Sequence, residues 1–289
     1  MDYFLTEEQQ FMKDVAREIA EKKMRPVVEH YDREDDFCWP IMKAIADADL
    51  FRVFIPEDYG GMAGDTPIMN MCVVTEELSK VCGGMALGFA ATGLGTFPIL
   101  ISGSDEQKQK YLPRVADGTL AAFALTEANA GSDVAGMQTR AVEDGDCYVL
   151  NGTKQWITNG GEAEIYSVFA VTDPDRGARG VSCLVVEKGT EGFTFGKKED
   201  KMGIRASATR ELIFQDCRVP KENLLGKRGT GFFTAMKTFD QSRPGVAAQA
   251  LGIAAGALEL AVNYSREREQ FGQPISANQV CAFCLRIWR

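Results

Sequence analysis

The hydrophobic period of this chain changes twice along its length. Up to residue 117, apolar residues recur three or four positions apart, as on the buried face of a helix. From Gly118 onwards, short runs rich in β-branched and aromatic residues alternate with Gly, Asp and Asn, which is typical of strands joined by turns. The helical period returns after Gly231. The sequence therefore predicts an α+β fold in three parts: an N-terminal helical domain over residues 1–117, a middle antiparallel β domain over residues 118–228 and a C-terminal helical domain over residues 229–289.

Local signals place several helices in the first part. Thr6 with Gln9, and Ser104 with Gln107, have the spacing of capping boxes at helix starts. Between them, the uncharged run from Gly83 to Ser104 is long enough to span a bilayer. Its many glycines, its proline and the lack of a flanking basic cluster favour a buried helix instead, so we predict no membrane span.

Two further helices are predicted after Gly231. The first, over residues 232–271, has a middle that is apolar nearly all round, which predicts burial within a helical bundle. The second, over residues 278–289, has an apolar face formed by Val280, Phe283, Cys284 and Ile287.

Composition narrows the class of protein. The chain holds 32 basic and 41 acidic residues, and the net charge of −9 disfavours nucleic acid as a partner, because affinity for phosphates comes from basic side chains. The first residues lack the basic stretch followed by an apolar stretch that marks a signal peptide. The eight cysteines lack the spacing of a disulfide framework of the kind found in secreted proteins, so we expect a cytoplasmic protein with reduced thiols. The single histidine, His30, argues against a Ser-His-Asp triad and a histidine-rich site, and we predict no metal.

The stretch "FALTEANAGSDV", residues 123–134, is the first candidate for ligand binding. A strand ends here, Thr126 follows, and Gly131-Ser132-Asp133 forms a polar turn. Its backbone N–H groups and hydroxyls could hold an anion or the polar edge of a ring. An ordinary turn is the alternative.

Two other stretches suit an aromatic or phosphate-bearing ligand. In "WITNG", Trp156 and Thr158 flank Ile157 and share one face of a strand, which suits a flat ring; a core tryptophan is the alternative. In "REREQFG", Arg268 and Phe271 are one helical turn apart and could bind a phosphate and stack on a ring. A solvated charge run is the alternative there.

Together these stretches resemble the acyl-CoA dehydrogenase family, in the same order and at the same separations, from about Leu5 to Leu285. The motifs that carry the resemblance are "PEDYGG", "LTEANAGSDVAGMQTRA", "LNGTKQWITNG", "MGIRASATRELIFQDCRVPKENLLG" and "FDQSRPGVAAQALGIAAGALELAVNYSREREQFGQPI". The resemblance implies a flavoprotein with an N-terminal helical domain, a middle β domain and a C-terminal four-helix bundle, incomplete here, and usually a homotetramer.

The resemblance also implies site residues. FAD would lie between the β domain and the bundle, in contact with Phe123, Leu125, Thr126, Gly131, Ser132, Trp156, Ile157, Thr158, Arg268, Phe271 and Gln279. Of these, the last three would reach the FAD of a neighbouring subunit. The CoA moiety would contact Ser132, Phe239, Asp240 and Arg243.

The implied reaction belongs to fatty acid oxidation. An acyl-CoA thioester is oxidised to its trans-2-enoyl form as a glutamate takes the α-proton and the β-hydride passes to the flavin. The electrons then leave to an electron-transferring flavoprotein. Three alternatives stay open: an acyl-CoA oxidase or a flavin monooxygenase on the same fold, or a non-catalytic fragment that binds CoA.

The catalytic glutamate of this family has no counterpart in the chain. Most members carry it in a Tyr-Glu-Gly segment far downstream, beyond the last residue here. A minority place it at the position of Ser242, which cannot act as a carboxylate base. Where the family commonly has Phe-x-Leu-Ala-Asp-Met-Ala, this chain has Phe-Cys-Leu-Arg-Ile-Trp-Arg, and a one-base deletion after Leu285 accounts for the change. We expect a C-terminally truncated and catalytically incomplete sequence.

Overall fold

The computed structural model describes residues 5–288. Its first part is helical, and each helix start predicted from a capping box is confirmed: Thr6 with Gln9, and Ser104 with Gln107, exchange both reciprocal hydrogen bonds. Between residues 5 and 117 the α-helices are α1 Glu7–Ile19, α2 Val28–Glu34, α3 Trp39–Asp47, α4 Pro67–Ser79, α5 Gly83–Ser102 and α6 Asp105–Ala116.

A single sheet forms the middle part, and most of its pairings are antiparallel, as predicted. The strands are β1 Ala121–Ala124, β2 Arg140–Asp144, β3 Cys147–Thr158, β4 Ile165–Val171, β5 Val181–Glu187, β6 Phe193–Lys198, β7 Thr209–Pro220 and β8 Leu224–Leu225. Their order is β6-β7-β3-β2-β4-β5-β8, and β1 adds a parallel neighbour to β4. The hairpin between β2 and β3 turns at Gly145, whose φ of 57° favours glycine.

Helix α5 packs directly on the sheet. A Cβ at Gly95 would lie 2.5 Å from the backbone nitrogen of Ala122, so only glycine allows this approach. Within the helix, the Thr92 and Thr96 hydroxyls donate to carbonyls one turn back, which satisfies them in an apolar environment. The prediction of a buried helix over this uncharged run is confirmed.

The last part consists of α7 Gly231–Glu267, a small hairpin of β9 Glu269–Gln270 and β10 Gln273–Pro274, and α8 Gln279–Trp288. By length and composition, α5 and α7 could each cross a membrane; the apolar window of α5 is 72% buried inside the protein, and that of α7 28%. The predicted helix over residues 278–289 is confirmed as far as residue 288.

Burial of α7 is one-sided, which corrects the expectation that its middle is covered all round. Its small residues face α4, where a Cβ at Gly252 would lie 2.3 Å from the Glu76 carbonyl oxygen and one at Gly256 2.0 Å from that of Lys80. On the opposite face, no other described segment covers the large apolar side chains, which are more than half exposed: Val246, Leu251, Leu260 and Tyr264.

The predicted helical turn joining Arg268 and Phe271 is wrong. Helix α7 ends at Glu267, and Arg268 has an extended backbone with ψ of 121°. Phe271 and Gly272, with φ of 56° and 76°, form the two-residue turn between β9 and β10. Positive φ at both positions is the signature of a type I′ hairpin turn, which a helical spacing rule cannot detect.

Candidate functional site

The end of strand β1 meets helix α7 through aromatic side chains. The Phe123 ring lies 4.9 Å from Phe169 of β4 and 5.6 Å from Phe239 of α7, centroid to centroid. The Phe123 side chain therefore packs in the core. Through it, the segment predicted to bind the flavin touches a residue predicted to bind CoA.

Beyond β1, the Leu125–Thr126 segment is held through its carbonyl groups. The Leu125 oxygen accepts from Lys154 Nζ at 3.0 Å, and the Thr126 oxygen accepts from the Gln155 amide at 2.9 Å. Among residues 5–288, the N–H and hydroxyl of half-buried Thr126 have no acceptor. Two free donors at a strand end fit the carbonyl and ring-nitrogen edge of a flavin.

A β-bulge directs Trp156 outward beside this segment. The pairing of β3 with β7 shifts register between Lys154 and Ile157, and Trp156 has a φ of 60°. A bulge re-aims side chains, and backbone strain of this kind clusters at functional sites. The Trp156 indole is 55% exposed and Ile157 is buried, so the core-tryptophan alternative is wrong.

The turn after Thr126 is closed by backbone hydrogen bonds. Glu127 and Ala130 exchange two bonds of 3.1 Å, which leaves Gly131 and Ser132 exposed at its rim. A Cβ at Gly131 would meet nothing within 4 Å, so steric closeness does not require glycine there.

A buried ion pair underlies the site, and the sequence reasoning missed it. Lys154 Nζ lies 2.7 Å from Glu127 Oε1, and Glu127 also accepts from the amides of Gln138 and Thr139. Burial lowers the pKa of Lys154 to about 8. Burial works to raise the pKa of Glu127, but the charge and hydrogen bond of Lys154, together with the hydrogen bonds from Thr139 and Gln138, outweigh it, so that this pKa is lowered. The available signal was a glutamate inside "FALTEANAGSDV" and a lysine two residues before "WITNG".

The residues predicted to contact CoA cluster on α7. Asp240 Oδ1 pairs with the Arg243 guanidinium at 3.2 Å, and that guanidinium lies 5.7 Å above the Phe239 ring. Asp240 and Arg243 are exposed, whereas Ser242 is buried and donates to the Phe239 carbonyl.

Three predicted cofactor residues make no direct contact with this segment. Arg268, Phe271 and Gln279 are exposed, with Phe271 96% accessible. Within residues 5–288, no hydrogen bond, ion pair or aromatic contact joins them to Thr126 or Trp156.

Models of one protein family match all three parts of the chain. The N-terminal, middle and C-terminal domain models of acyl-CoA dehydrogenase match residues 6–119, 122–217 and 229–286. An acyl-CoA dehydrogenase of Bacillus subtilis is 45% identical over 283 residues, covering 97% of this chain and 74% of the relative. The NADH-dependent acryloyl-CoA reductase of Anaerotignum propionicum is 47% identical over 279 residues, covering 96% of this chain and 70% of the relative.

Solved structures give the same result. Butyryl-CoA dehydrogenase from Megasphaera elsdenii superimposes with a TM-score of 0.96 at 44% identity, covering 100% of this chain and 76% of the other. A chain from work on the electron transferring flavoprotein of Acidaminococcus fermentans has a TM-score of 0.96 at 50% identity, covering 99% and 76%. An acyl-CoA dehydrogenase complexed with FAD from Bacillus anthracis has a TM-score of 0.90 at 35% identity, covering 99% and 50%. The chain therefore belongs to the acyl-CoA dehydrogenase family of FAD-binding oxidoreductases.

Proposed function

We propose that the segment around Thr126 and Trp156 binds the FAD of an enzyme that oxidises acyl-CoA thioesters to trans-2-enoyl-CoA. The observation that carries this proposal is the pair of free donors on Thr126 beside an exposed indole held by a bulge. Such donors orient a planar heterocycle by its polar edge, while the indole covers its face. FAD, when bound, accepts the hydride that leaves the β-carbon of the substrate.

Each neighbouring residue has a proposed task. Leu125, Ile157 and Thr158 complete the wall around the flavin ring, and Gly131 and Ser132 line the rim of the turn. Phe239, Asp240 and Arg243 contact the CoA moiety together with Ser132; the exposed guanidinium suits a phosphate. A neighbouring subunit contributes Arg268, Phe271 and Gln279 to the remainder of the FAD; these three are exposed and, within residues 5–288, none of them bonds to Thr126 or Trp156.

We propose further that a polypeptide of these 289 residues does not turn over. The carboxylates in and beside the site already form ion pairs, Glu127 with Lys154 and Asp240 with Arg243. Ser242 cannot take a proton as a carboxylate does. The uncovered apolar face of α7 favours self-association, so we also expect poor solubility and weak FAD occupancy.

For the protein in its cell, we propose a homotetramer in the cytoplasm that passes electrons to an electron-transferring flavoprotein. The eight cysteines, all free in the described structure, agree with a reducing compartment. The similarity to a chain studied with an electron transferring flavoprotein supports that acceptor. The three-domain division at residues 117 and 228 stays a prediction.

The test is an anaerobic titration of the 289-residue chain, at low protein concentration with excess FAD, against acyl-CoA. We expect acyl-CoA to perturb the absorption band of bound FAD without bleaching it. Bleaching would show that a base is present and would refute the inactivity. Binding of acyl-CoA with no change in the flavin spectrum would identify a non-catalytic CoA-binding fragment.

A matched pair of variants tests the flavin site. T126V removes the free hydroxyl and should weaken FAD binding about tenfold, the usual cost of one hydrogen-bond donor in a site. T153V makes the same change at an exposed threonine of β3 and should leave FAD binding unchanged. Equal FAD affinity of the two variants would remove Thr126 from the site.

A further inference from the structure

The ion pair of Lys154 and Glu127 has an orientation as well as a location. The Lys154 side chain has no exposed surface, and Glu127 is nearly as buried. The ammonium end bonds to the Leu125 carbonyl, while the carboxylate end bonds to the Gln138 and Thr139 amides. The positive end of this dipole therefore points at the strand end that the proposed flavin site uses.

The contact with Leu125 reaches the site through one peptide unit. The Leu125 carbonyl and the Thr126 N–H belong to the same planar group, so fixing the first fixes the direction of the second. A cation on the carbonyl also polarises the group, which makes the Thr126 N–H a stronger donor. Because this N–H has no protein acceptor among residues 5–288, it is free to donate a hydrogen bond to a ligand.

We propose that Lys154, held by Glu127, is a positioning residue that aims and strengthens the Thr126 N–H toward FAD and favours the reduced form of the cofactor. This inference rests on the proposed FAD site at Thr126. Reduction adds electron density to the flavin ring, so a polarised donor binds reduced FAD more tightly than oxidised FAD.

A role limited to stability would need no charges at this position. Replacing a buried ion pair by neutral side chains of similar volume is often neutral or stabilising. The neutral variant K154M/E127Q therefore separates the two roles, because it removes both charges and keeps the side-chain volume. The Gln138 and Thr139 amides bond to different oxygens of Glu127, so the one carboxamide oxygen of the new side chain can still accept from one of them. The matched control is K188M/E164Q, which removes a partly exposed lysine–glutamate pair just before β4 and just after β5.

The first measurement is binding of FAD and of chemically reduced FAD to the 289-residue chain, by anaerobic calorimetry. We expect K154M/E127Q to lower the preference for reduced FAD about tenfold, the scale of one hydrogen bond to a charged group. The K188M/E164Q variant should keep the preference of the parent chain. If both forms of FAD weaken by the same factor, or neither changes, the charge effect is refuted.

The second measurement needs no cofactor. The Gln155 amide donates to the Thr126 carbonyl, so its hydrogen exchange reports whether the strand end stays docked on β3. We expect exchange about tenfold faster in K154M/E127Q than in the parent and no change in K188M/E164Q. Unchanged exchange would overturn the positioning role, even if the parent chain bound no FAD; absence of FAD binding alone would instead refute the proposed FAD site.

Discussion

Replacing Gly256 by alanine should destabilise the protein, against the usual preference of helices. In an exposed helix the change would gain about 1 kcal/mol. Here the added Cβ would lie 2.0 Å from the Lys80 carbonyl oxygen, far inside van der Waals contact, and the obstacle is backbone that cannot rotate away. Overpacking costs about 1–3 kcal/mol, and the upper half of that range applies where backbone must move. Subtracting the helix gain of about 1 kcal/mol leaves an expected net loss of about 1–2 kcal/mol.

Two variants on the same helix serve as controls. In G245A the new Cβ meets only the Met71 methyl, at 2.6 Å, and this end of a flexible side chain can shift, so the variant should be neutral or up to about 1 kcal/mol more stable. A254G, on the exposed face, should lose about 1 kcal/mol through propensity alone.

Urea unfolding followed by far-ultraviolet circular dichroism gives the three midpoints. If G256A stabilises the chain as G245A does, α7 does not pack on α4 as described. Equal losses of stability in G256A and G245A would show that both positions need glycine for their backbone conformation, and that the contact of Gly256 with the Lys80 carbonyl is not the cause.

The remaining predictions concern charge and surface. K154M alone should cost about 3–5 kcal/mol because it leaves Glu127 buried and unpaired, whereas K154M/E127Q should cost less than half of that; equal losses in urea would contradict this. Burial lowers the pKa of Lys154 to about 8 from an ordinary 10.5. Between these two pH values the unfolded chain therefore binds more protons than the folded protein. The free energy of unfolding of the parent protein should rise over this range by up to about 1.4 kcal/mol per pH unit relative to that of K154M/E127Q. A difference that stays flat over that range would refute the shift. L251K, which charges the uncovered face of α7, should reduce light scattering without changing the unfolding midpoint, and unchanged scattering would mean that association uses another surface.

Features determined by neighbours in sequence were predictable. The hydrogen bonds of a capping box join residues three positions apart, so Thr6 and Gln9 suffice to define a helix start. Similarly, the strands of the sheet follow from runs of β-branched residues. The parallel pairing of β1 with β4 could not be derived, because it joins residues 121–124 to residues 165–168, with β2 and β3 between them in sequence.

Features determined by distant contacts were missed or mistaken. Nothing local indicates that one face of α7 meets α4, since both faces carry apolar residues. The turn at Phe271 depends on a left-handed conformation that an aromatic residue rarely adopts. The partner of Lys154 lies 27 residues away in sequence, so the pair becomes visible only once β1 and β3 are placed together.

One extra residue in β3 explains how a buried charge and an exposed indole come from positions two residues apart. Residues two apart on a regular strand share a face, so Lys154 and Trp156 would both be buried or both exposed. Between Lys154 and Ile157, β3 advances three residues while its partner β7 advances two, from Leu212 to Arg210. The bulge therefore puts Lys154 and Ile157 together on the buried face and leaves Trp156 on the open one. A single backbone irregularity thus allows β3 to donate a hydrogen bond from buried Lys154 to the Leu125 carbonyl while Trp156, two residues on, stays exposed.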